Sequence, residues 1–385
     1  MNKSILNIKE KIGSNFSLGN GKFLVDISGG SLTQNFSNVE TLCELSKSVL
    51  NHIAPSAGFE SEQKRKLQKS VIAQCNKKYK DMLWSSSGSD AIESGIWAAN
   101  VYCNYKYGKE IQSFIVRKGS YHGNTDLCRN LSARASGGSK DKRVIVIDEC
   151  PSEEYLACNE NLDRSTFIDH LKELVESKRI HYPALLLLEG KPTTGWKFNS
   201  DGKVLRDIIS YCRNHEILVV LDDVASGAFR HGVFLSCGVK EEQVLPDVSI
   251  VSKGLTSGLH PLSCTLLSSD ITEAVQSSGI APLTFTHGLT EFSAVIANRC
   301  LEQYQRYFKS EESLERADAI NYLAQKTRET LVSKDMWAYI GTSVMKKSGD
   351  KHSVRKYAHI CPAFDLSLNA QNEIYRNLIQ ILSNQ

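Results

Sequence analysis

The chain has 385 residues, of which 41% are hydrophobic and 23% are charged, an ordinary composition for a globular protein. This length is sufficient for one large α/β domain and a smaller one. Its 46 basic and 43 acidic residues leave a net charge of +3. That near balance argues against nucleic acid and against an anionic membrane surface as the main partner.

The N-terminus alternates apolar and charged residues and has no apolar run of signal-peptide length. No segment of the chain approaches the ~20 apolar residues that cross a bilayer. The 11 cysteines include no CxxC pair, so neither a disulfide framework nor a zinc site is expected. We therefore predict reduced, mostly buried thiols, no metal site, no membrane partner and a cytoplasmic location.

Short apolar runs alternate with helical patterns along most of the chain. The runs predict buried strands at 113–116, 144–147, 184–188, 217–221, 248–251 and 262–267. The helical patterns cover 89–105, 167–177, 204–212, 294–331 and the end of the chain at 363–382. Alternating helices and buried strands predict a largely parallel sheet that is covered on both faces.

Side chains with catalytic chemistry follow four of the predicted strands, either directly or after one to four intervening residues. In chain order they are Tyr121 and His122, Glu189, Asp222 and Lys253. Ligands of open parallel sheets bind beyond the carboxyl ends of the strands, so these side chains are predicted to converge at one edge. A lysine condenses with an aldehyde and shuttles protons. A carboxylate keeps a pyridine nitrogen protonated, and an aromatic side chain stacks on the ring.

The segment Ser87-Gly88-Ser89 precedes the first of the predicted helices. Backbone N–H groups and hydroxyls at a helix N-terminus bind phosphate, although such a segment alone is more often an N-cap. A lysine, an aspartate or a Tyr-His-Gly segment after one strand is likewise usually a turn or a cap. All four segments, however, occupy equivalent places in the predicted sheet. This shared placement favours one common site over four unrelated turns or caps. Dinucleotide binding is disfavoured, because the chain has neither G-x-G-x-x-G after a strand nor G-x-x-x-x-G-K-[ST].

These motifs resemble those of the class III aminotransferases, a branch of the fold-type I pyridoxal-phosphate enzymes. SSSGSDAIESGIWAAN at 85–100 resembles the phosphate-binding turn and helix, and SYHGNT at 120–125 resembles the ring-stacking motif. The stretch 185–232, the lysine segment 245–268, THGLT at 286–290 and the closing segment 360–382 follow in the family's order.

The resemblance implies a fold-type I α/β architecture, with a mostly parallel central sheet, helices on both faces and a small α+β domain. Residues 1–50 and 294–385 would supply the small domain and a linking helix, and 51–293 the large cofactor-binding domain. Lys253 would form the Schiff base with pyridoxal 5'-phosphate, and Asp222 would pair with the ring nitrogen. The other implied cofactor-binding residues are Gly88, Ser89, Tyr121, His122, Glu189, Val224 and Thr290.

In this family the active sites lie at a homodimer interface, so Thr290 would contact the phosphate of the neighbouring subunit. Val224 and Tyr121 would lie on opposite faces of the ring, and Glu189 near the substrate. The implied reaction moves an amino group from an amine or amino acid donor to an oxo acid or aldehyde acceptor.

The chain departs from the family pattern at several positions. Ala225 stands where a glutamine is usual, and Asp223 replaces a glutamate. Gly190-Lys191-Pro192 replaces Pro-Val-Gln, and Arg230 and Arg355 have no assigned role. These changes leave open two alternatives. One is a fold-type I enzyme that breaks a different bond, such as a decarboxylase, a racemase or aminomutase, or a carbon–carbon bond-forming enzyme. The other is a non-catalytic cofactor-binding protein.

Overall fold

The computed structural model describes residues 60–132, 141–147, 165–190, 202–230, 233–238 and 245–307. It also describes the backbone of short strands at 10–12, 15–17, 23–25, 344–347 and 357–360. Within these residues no helix is both long and apolar enough to cross a membrane. The predicted helix at 363–382, the part of the predicted helix after 307, and Lys191, Pro192 and Arg355 lie outside the described residues.

Two small antiparallel sheets lie near the ends of the chain. The first contains β1 (Glu10–Ile12), β2 (Asn15–Ser17) and β3 (Phe23–Val25), paired in that order. The second pairs two strands at Val344–Lys347 and Tyr357–Ile360. The sequence predicted small-domain segments in these regions, and that domain division stays a prediction.

A seven-stranded sheet forms the centre of the described chain. Its strands are β4 (Tyr79–Ser85), β5 (Ser113–Arg117), β6 (Val144–Ile147), β7 (Ala184–Glu189), β8 (Ile217–Asp223), β9 (Val248–Val251) and β10 (Ser263–Ser268). The order is β4-β10-β9-β8-β7-β5-β6. Strands β9, β8, β7, β5 and β6 are parallel, whereas β10 runs antiparallel to both β9 and β4. The predicted mostly parallel sheet is confirmed.

The six predicted strands are all present, and four of them extend into polar residues that the apolar runs did not include; one of the four is β10, which continues to Ser268. Strand β5 continues to Arg117, β7 to Glu189, and β8 to Asp222 and Asp223. Strand β4 was not predicted because it lies at the edge of the sheet, where exposed residues interrupt its apolar pattern.

Helices connect the strands and cover the sheet. They are α1 (Glu62–Gln74), α2 (Gly88–Tyr107), α3 (Asp126–Leu131), α4 (Ser165–Glu176), α5 (Gly202–Asn214), α6 (Ser269–Ser277) and α7 (Glu291–Tyr307). Helix α2 begins after Ser87, whose hydroxyl accepts a hydrogen bond from the backbone N–H of Asp90 at 3.2 Å. It ends at Gly108, whose φ of 65° suits a glycine at a helix C-terminus.

Alternate residues of the central strands pack into two apolar layers. Leu186 and Leu188 of β7 belong to the layer that contains α1, α4, α5 and α7, whereas Leu185 and Leu187 belong to the layer that contains α2, α3 and α6. Each fully buried leucine contributes about 1.5–3 kcal/mol relative to an exposed one. Apolar layers on both faces leave the carboxyl ends of the strands as the place where polar side chains gather.

Candidate active site

A cavity of about 160 Å³ opens at the carboxyl ends of β5, β7, β8 and β9. Eight of the nine predicted site residues line it: Gly88, Ser89, Tyr121, His122, Glu189, Asp222, Val224 and Lys253. Gly123, Ala225 and Ser226 also contribute to its wall. The convergence expected from strand topology is therefore observed in the fold.

Lys253 is held in a tightly constrained segment. It begins a 3-10 helix (Lys253–Thr256) two residues after the end of β9 and has a φ of 38°. A left-handed conformation at a residue other than glycine costs on the order of 1–3 kcal/mol, so the surrounding contacts must hold it. One such contact is the hydroxyl of Tyr304 in α7, which donates to the carbonyl oxygen of Gly254 at 2.5 Å.

Asp222 is 6% exposed, and both of its carboxylate oxygens accept hydrogen bonds. Oδ1 accepts from the backbone N–H of Val224 at 3.0 Å, and Oδ2 contacts Nδ1 of His122 at 2.8 Å. An ionised carboxylate only accepts, so Nδ1 of His122 carries the proton in this pair. The pair fixes the orientation of Asp222 toward the cavity.

His122 is buried, and its Nε2 atom has no hydrogen-bond partner among the described residues. A buried polar atom without a partner is costly, and in native proteins it often marks a place where a ligand or water binds. Because His122 also lines the cavity, this atom indicates that the cavity is built for a polar ligand.

The opposite end of the cavity is formed by the first residues of α2. Gly88 lies so close to Val224 that a Cβ atom added there would be 2.8 Å from Val224 Cγ1. The hydroxyl of Ser89 accepts a hydrogen bond from the backbone N–H of Asn124 at 3.2 Å. A 20-residue helix presents N–H groups and the positive end of its dipole here, which suits a phosphate group.

These residues fit pyridoxal 5'-phosphate. The helix N-terminus suits its phosphate, Asp222 its ring nitrogen, and Lys253 its aldehyde. Tyr121 and Val224 line the same cavity and are apolar enough to contact the ring faces. Ala225 also lines it and carries no polar group, so the side chain that stands at the family's glutamine position makes no hydrogen bond there.

Glu189 lines the cavity and forms a buried ion pair with Arg117. Arg117 is 1% exposed and donates from its terminal nitrogen to Glu189 Oε2 at 2.5 Å. A second terminal nitrogen of Arg117 donates to the carbonyl oxygen of Lys118 at 3.0 Å. We did not predict Arg117 from the sequence, because it follows an apolar run and has no motif of its own.

Two departures from the family pattern, Gly190 and Asp223, are neighbours in the fold. Asp223 is fully buried and accepts hydrogen bonds from the Ser226 hydroxyl and the Ser236 backbone N–H, both at 2.7 Å. A Cβ atom at Gly190 would overlap the Asp223 carboxylate and the Ser236 hydroxyl. Glycine at 190 therefore makes room for this carboxylate, which braces the turn that carries Ala225 and Ser226.

Burial raises the pKa of Asp223 from 3.8 to about 6, although its hydrogen bonds with Ser226 and Ser236 oppose the shift. The folded protein then holds this proton over a range in which the unfolded chain has lost it. Stability consequently falls as the pH rises from about 4 to 6, by about 3 kcal/mol in total, and the loss persists above that range.

We expect Asp223→Asn to remove the decrease in folding stability that the Asp223 carboxyl causes as the pH rises. The asparagine amide accepts from the Ser236 N–H and donates to the Ser226 hydroxyl, so both hydrogen bonds have an equivalent. Urea unfolding at pH 4.5 and pH 7.5 measures the effect, with the variant gaining stability relative to the wild type at the higher pH. Parallel pH profiles for the two proteins would contradict the assignment.

Thr290, the ninth predicted residue, does not line this cavity. Its hydroxyl and backbone N–H both bond to the Ser293 hydroxyl, at 3.1 Å and 2.9 Å, just before α7 begins. The predicted contact with the phosphate of a neighbouring subunit stays a prediction. Arg230, whose role the sequence left open, is buried in the turn after β8 and is also absent from the lining.

The fold and the site together define a class of protein. A lysine after one parallel strand, an aspartate at the end of the next strand and a helix N-terminus around a single cavity are the arrangement of a fold-type I pyridoxal-phosphate enzyme.

A family model described as "Aminotransferase class-III" matches residues 1–340. Adenosylmethionine-8-amino-7-oxononanoate aminotransferase of Staphylococcus aureus (strain NCTC 8325 / PS 47) is 25% identical over 319 residues, covering 76% of this chain and 68% of that protein. Acetylornithine aminotransferase of Haemophilus ducreyi (strain 35000HP / ATCC 700724) is 25% identical over 253 residues, which cover 66% of this chain and 58% of that protein. For several of these relatives the match spans less than two thirds of their own length.

The fold is also similar to solved structures. The taurine:2-oxoglutarate aminotransferase of Bifidobacterium kashiwanohense, in complex with PLP and glutamate, superimposes with a TM-score of 0.79 at 19% identity, over 98% of this chain and 92% of that one. The adenosylmethionine-8-amino-7-oxononanoate aminotransferase of Methanocaldococcus jannaschii DSM 2661 has a TM-score of 0.79 at 17% identity, over 99% and 94%. The chain belongs to the class III aminotransferase family.

Proposed function

We propose that the protein is a pyridoxal 5'-phosphate-dependent aminotransferase that moves an amino group between a small-molecule donor and an oxo acid or aldehyde acceptor. The observation that carries the proposal is that Lys253 and Asp222 line one cavity with the start of α2. Membership of the class III family and the aminotransferases among its relatives support it.

When bound, the cofactor supplies an electron-poor pyridine ring that stabilises negative charge on the substrate carbon. Asp222 holds a proton at the ring nitrogen, and His122 and the Val224 N–H keep the carboxylate in place. Lys253 would hold the cofactor through its Nζ atom. The same amine would serve as the base that takes the proton from the substrate carbon and, as the resulting ammonium, would be the acid that gives that proton up again, so that Lys253 ends the transfer neutral. Gly88 and Ser89 would bind the phosphate, and Tyr121 and Val224 would contact the ring.

A non-catalytic cofactor-binding role is disfavoured, because binding alone does not require a lysine in a strained conformation that lines one cavity with an aspartate. Reactions that break another bond share the same lysine and aspartate, because the pocket selects the bond and the cofactor supplies the chemistry. The experiment must therefore distinguish transfer of the amino group from those reactions.

The test is an absorbance scan of the purified holoprotein against a panel of amines and amino acids, without an acceptor. Transamination converts the cofactor stoichiometrically to its amine form with at least one donor, and an added oxo acid restores the starting spectrum. Release of carbon dioxide or racemised substrate, with no amine form across the panel, would contradict amino transfer.

The proposal includes a homodimer. The segment before Thr290 offers a surface for it, since Ile280 is 50% exposed and residues 281, 282, 284, 286 and 287 are also exposed. A monomer mass in analytical ultracentrifugation of the active protein would contradict the proposed homodimer.

The proposal also includes a cytoplasmic location. The seven described cysteines support it, because all of them are free and buried thiols. Cell fractionation tests that location.

A further inference from the structure

The loop at 118–125, between β5 and α3, connects the two ends of the cavity. Toward the ring end, Nδ1 of His122 contacts Asp222 Oδ2 at 2.8 Å. Toward the phosphate end, the backbone N–H of Asn124 donates to the Ser89 hydroxyl at 3.2 Å. The loop therefore contacts both the carboxylate expected at the ring nitrogen and the helix start expected at the phosphate.

Helix α3 holds this loop against the start of α2. The backbone N–H of His122 donates to the Ser132 hydroxyl at 2.9 Å, and that hydroxyl donates to the carbonyl oxygen of Cys128 at 2.7 Å. The thiol of Cys128 contacts the carbonyl oxygen of Ser89 at 3.5 Å. These contacts fix the position of the loop relative to Ser89.

Gly123 lines the cavity and allows the loop to approach Ser89 closely. Its φ of 130° is a backbone conformation that favours glycine. A Cβ atom added at Gly123 would overlap the Ser89 hydroxyl oxygen and lie 2.9 Å from Ser89 Cβ and 3.2 Å from Cys128 Cβ. Any side chain at this position would therefore displace the Ser89 hydroxyl or separate it from the Asn124 N–H.

The hydrogen bond from Asn124 also determines where the Ser89 hydroxyl can donate. A hydroxyl has one hydrogen and two acceptor lone pairs. Because a lone pair of Ser89 accepts from the Asn124 N–H, the hydroxyl hydrogen points away from Asn124, and it has no acceptor among the described residues. Ser89 lines the cavity, so a ligand there can supply the acceptor.

We propose that Gly123 and the Asn124 N–H are positioning groups that direct the Ser89 hydroxyl hydrogen to a phosphate oxygen of the cofactor. This inference rests on the proposed binding of pyridoxal 5'-phosphate. Hydrogen bonds to a charged phosphate are stronger than those between neutral groups, so the orientation of this hydroxyl affects how tightly the phosphate is held.

The measurement compares the dissociation constants of pyridoxal 5'-phosphate and of pyridoxal, which lacks the phosphate, for the full-length protein freed of cofactor. The ratio of the two constants reports on the phosphate alone and requires no turnover. In Gly123→Ala we expect pyridoxal 5'-phosphate to bind ~10–100-fold more weakly, the loss of one hydrogen bond to a charged group, while the affinity for pyridoxal changes little.

Gly108→Ala is the matched control, because Gly108 lies at the other end of α2 and also has a positive φ, of 65°. A Cβ atom added there meets no atom of the described residues within 4 Å. The backbone strain of an alanine is therefore present without displacement of Ser89. The ratio of the two dissociation constants is expected to match that of the wild type.

Two further variants test the same hydrogen bond without a side chain at 123. Asn124→Pro removes the backbone N–H, and Ser89→Ala removes the hydroxyl, so the ratio is expected to fall in both. Adding Gly123→Ala to Ser89→Ala should lower the ratio no further, since the hydroxyl through which Gly123 acts is already absent. A purely structural role of Gly123 would instead weaken the binding of both ligands equally.

An unchanged ratio in any folded variant among Gly123→Ala, Asn124→Pro and Ser89→Ala would overturn the inference, as would equal losses of affinity for the two ligands. If Gly123→Ala does not fold, the other two variants decide the outcome. Failure of the proposed cofactor is distinguishable, because the wild-type protein would then bind pyridoxal 5'-phosphate no more tightly than pyridoxal and would lack a lysine-dependent absorbance band.

Discussion

Lys253→Ala is expected to abolish the lysine-dependent absorbance band and to reduce turnover by at least ~10³-fold. The change removes both the covalent attachment of the cofactor and the group that moves the substrate proton, and a positioned proton-transfer group alone contributes ~10²–10⁴-fold. The rest of the cavity is unchanged, so the cofactor is still expected to bind through the start of α2 and Asp222. An absorbance spectrum of the variant after dialysis against the cofactor measures the loss of the band. Multiple-turnover assays measure the loss of activity.

Lys109→Ala is the matched control, because Lys109 is an exposed lysine just beyond the C-terminal end of α2. It should retain both the band and the activity. Normal multiple-turnover transamination by Lys253→Ala would refute the role assigned to this lysine, whatever the spectrum shows.

Asp222→Asn is expected to lower kcat/KM by ~10²–10³-fold while the protein still binds the cofactor. The asparagine keeps an oxygen that can accept from the Val224 N–H, but it carries no charge to hold a proton at the ring nitrogen. Loss of one preorganised electrostatic contact at a reacting centre has effects of this size. Steady-state kinetics with the best donor of the panel gives the loss, and cofactor titration gives the affinity.

Asp223→Asn serves as the comparison for this variant. Asp223 is the next residue of β8 and is equally buried, but its side chain bonds to Ser226 and Ser236 and does not line the cavity. Its activity is expected to stay within tenfold of the wild type. Equal losses for the two variants would indicate that general disruption of β8, rather than the charge of Asp222, controls the rate.

The apolar runs were sufficient to locate the buried strands of the sheet. Strands β6 and β9 have the predicted bounds, and β5, β7, β8 and β10 differ from the predictions by one or two residues at an end. For the inner strands this succeeded because a strand that is buried on both faces is apolar along its length. Strand β6 was found although it lies at an edge of the sheet, and the prediction that it is buried was wrong, since Val146 is 42% exposed. The edge strand β4 was missed because two exposed polar residues, Lys80 and Asp81, interrupt its apolar residues.

The convergence of Lys253, Asp222, Glu189, Tyr121 and His122 was also predictable. Residues that follow parallel strands must meet at the same edge of a sheet, so position in the sequence becomes position in space. Pairings between side chains were not predictable in this way. Neither the bond between His122 and Asp222 nor the contact of Tyr304 with Gly254 follows from spacing, because the partners are 100 and 50 residues apart.

The sequence by itself determined the mostly parallel sheet, the family motifs and the edge at which the chemistry is located, because strand periodicity and topology depend on local order along the chain. Only the tertiary structure decided how the charges at that edge are compensated. Arg117 looks like an ordinary residue after an apolar run, and Glu189 like a lone carboxylate, until β5 and β7 bring them together. The same holds for Gly190, whose missing side chain makes room for Asp223. Electrostatic compensation and close packing depend on distances in space, and those are fixed only when the sheet assembles.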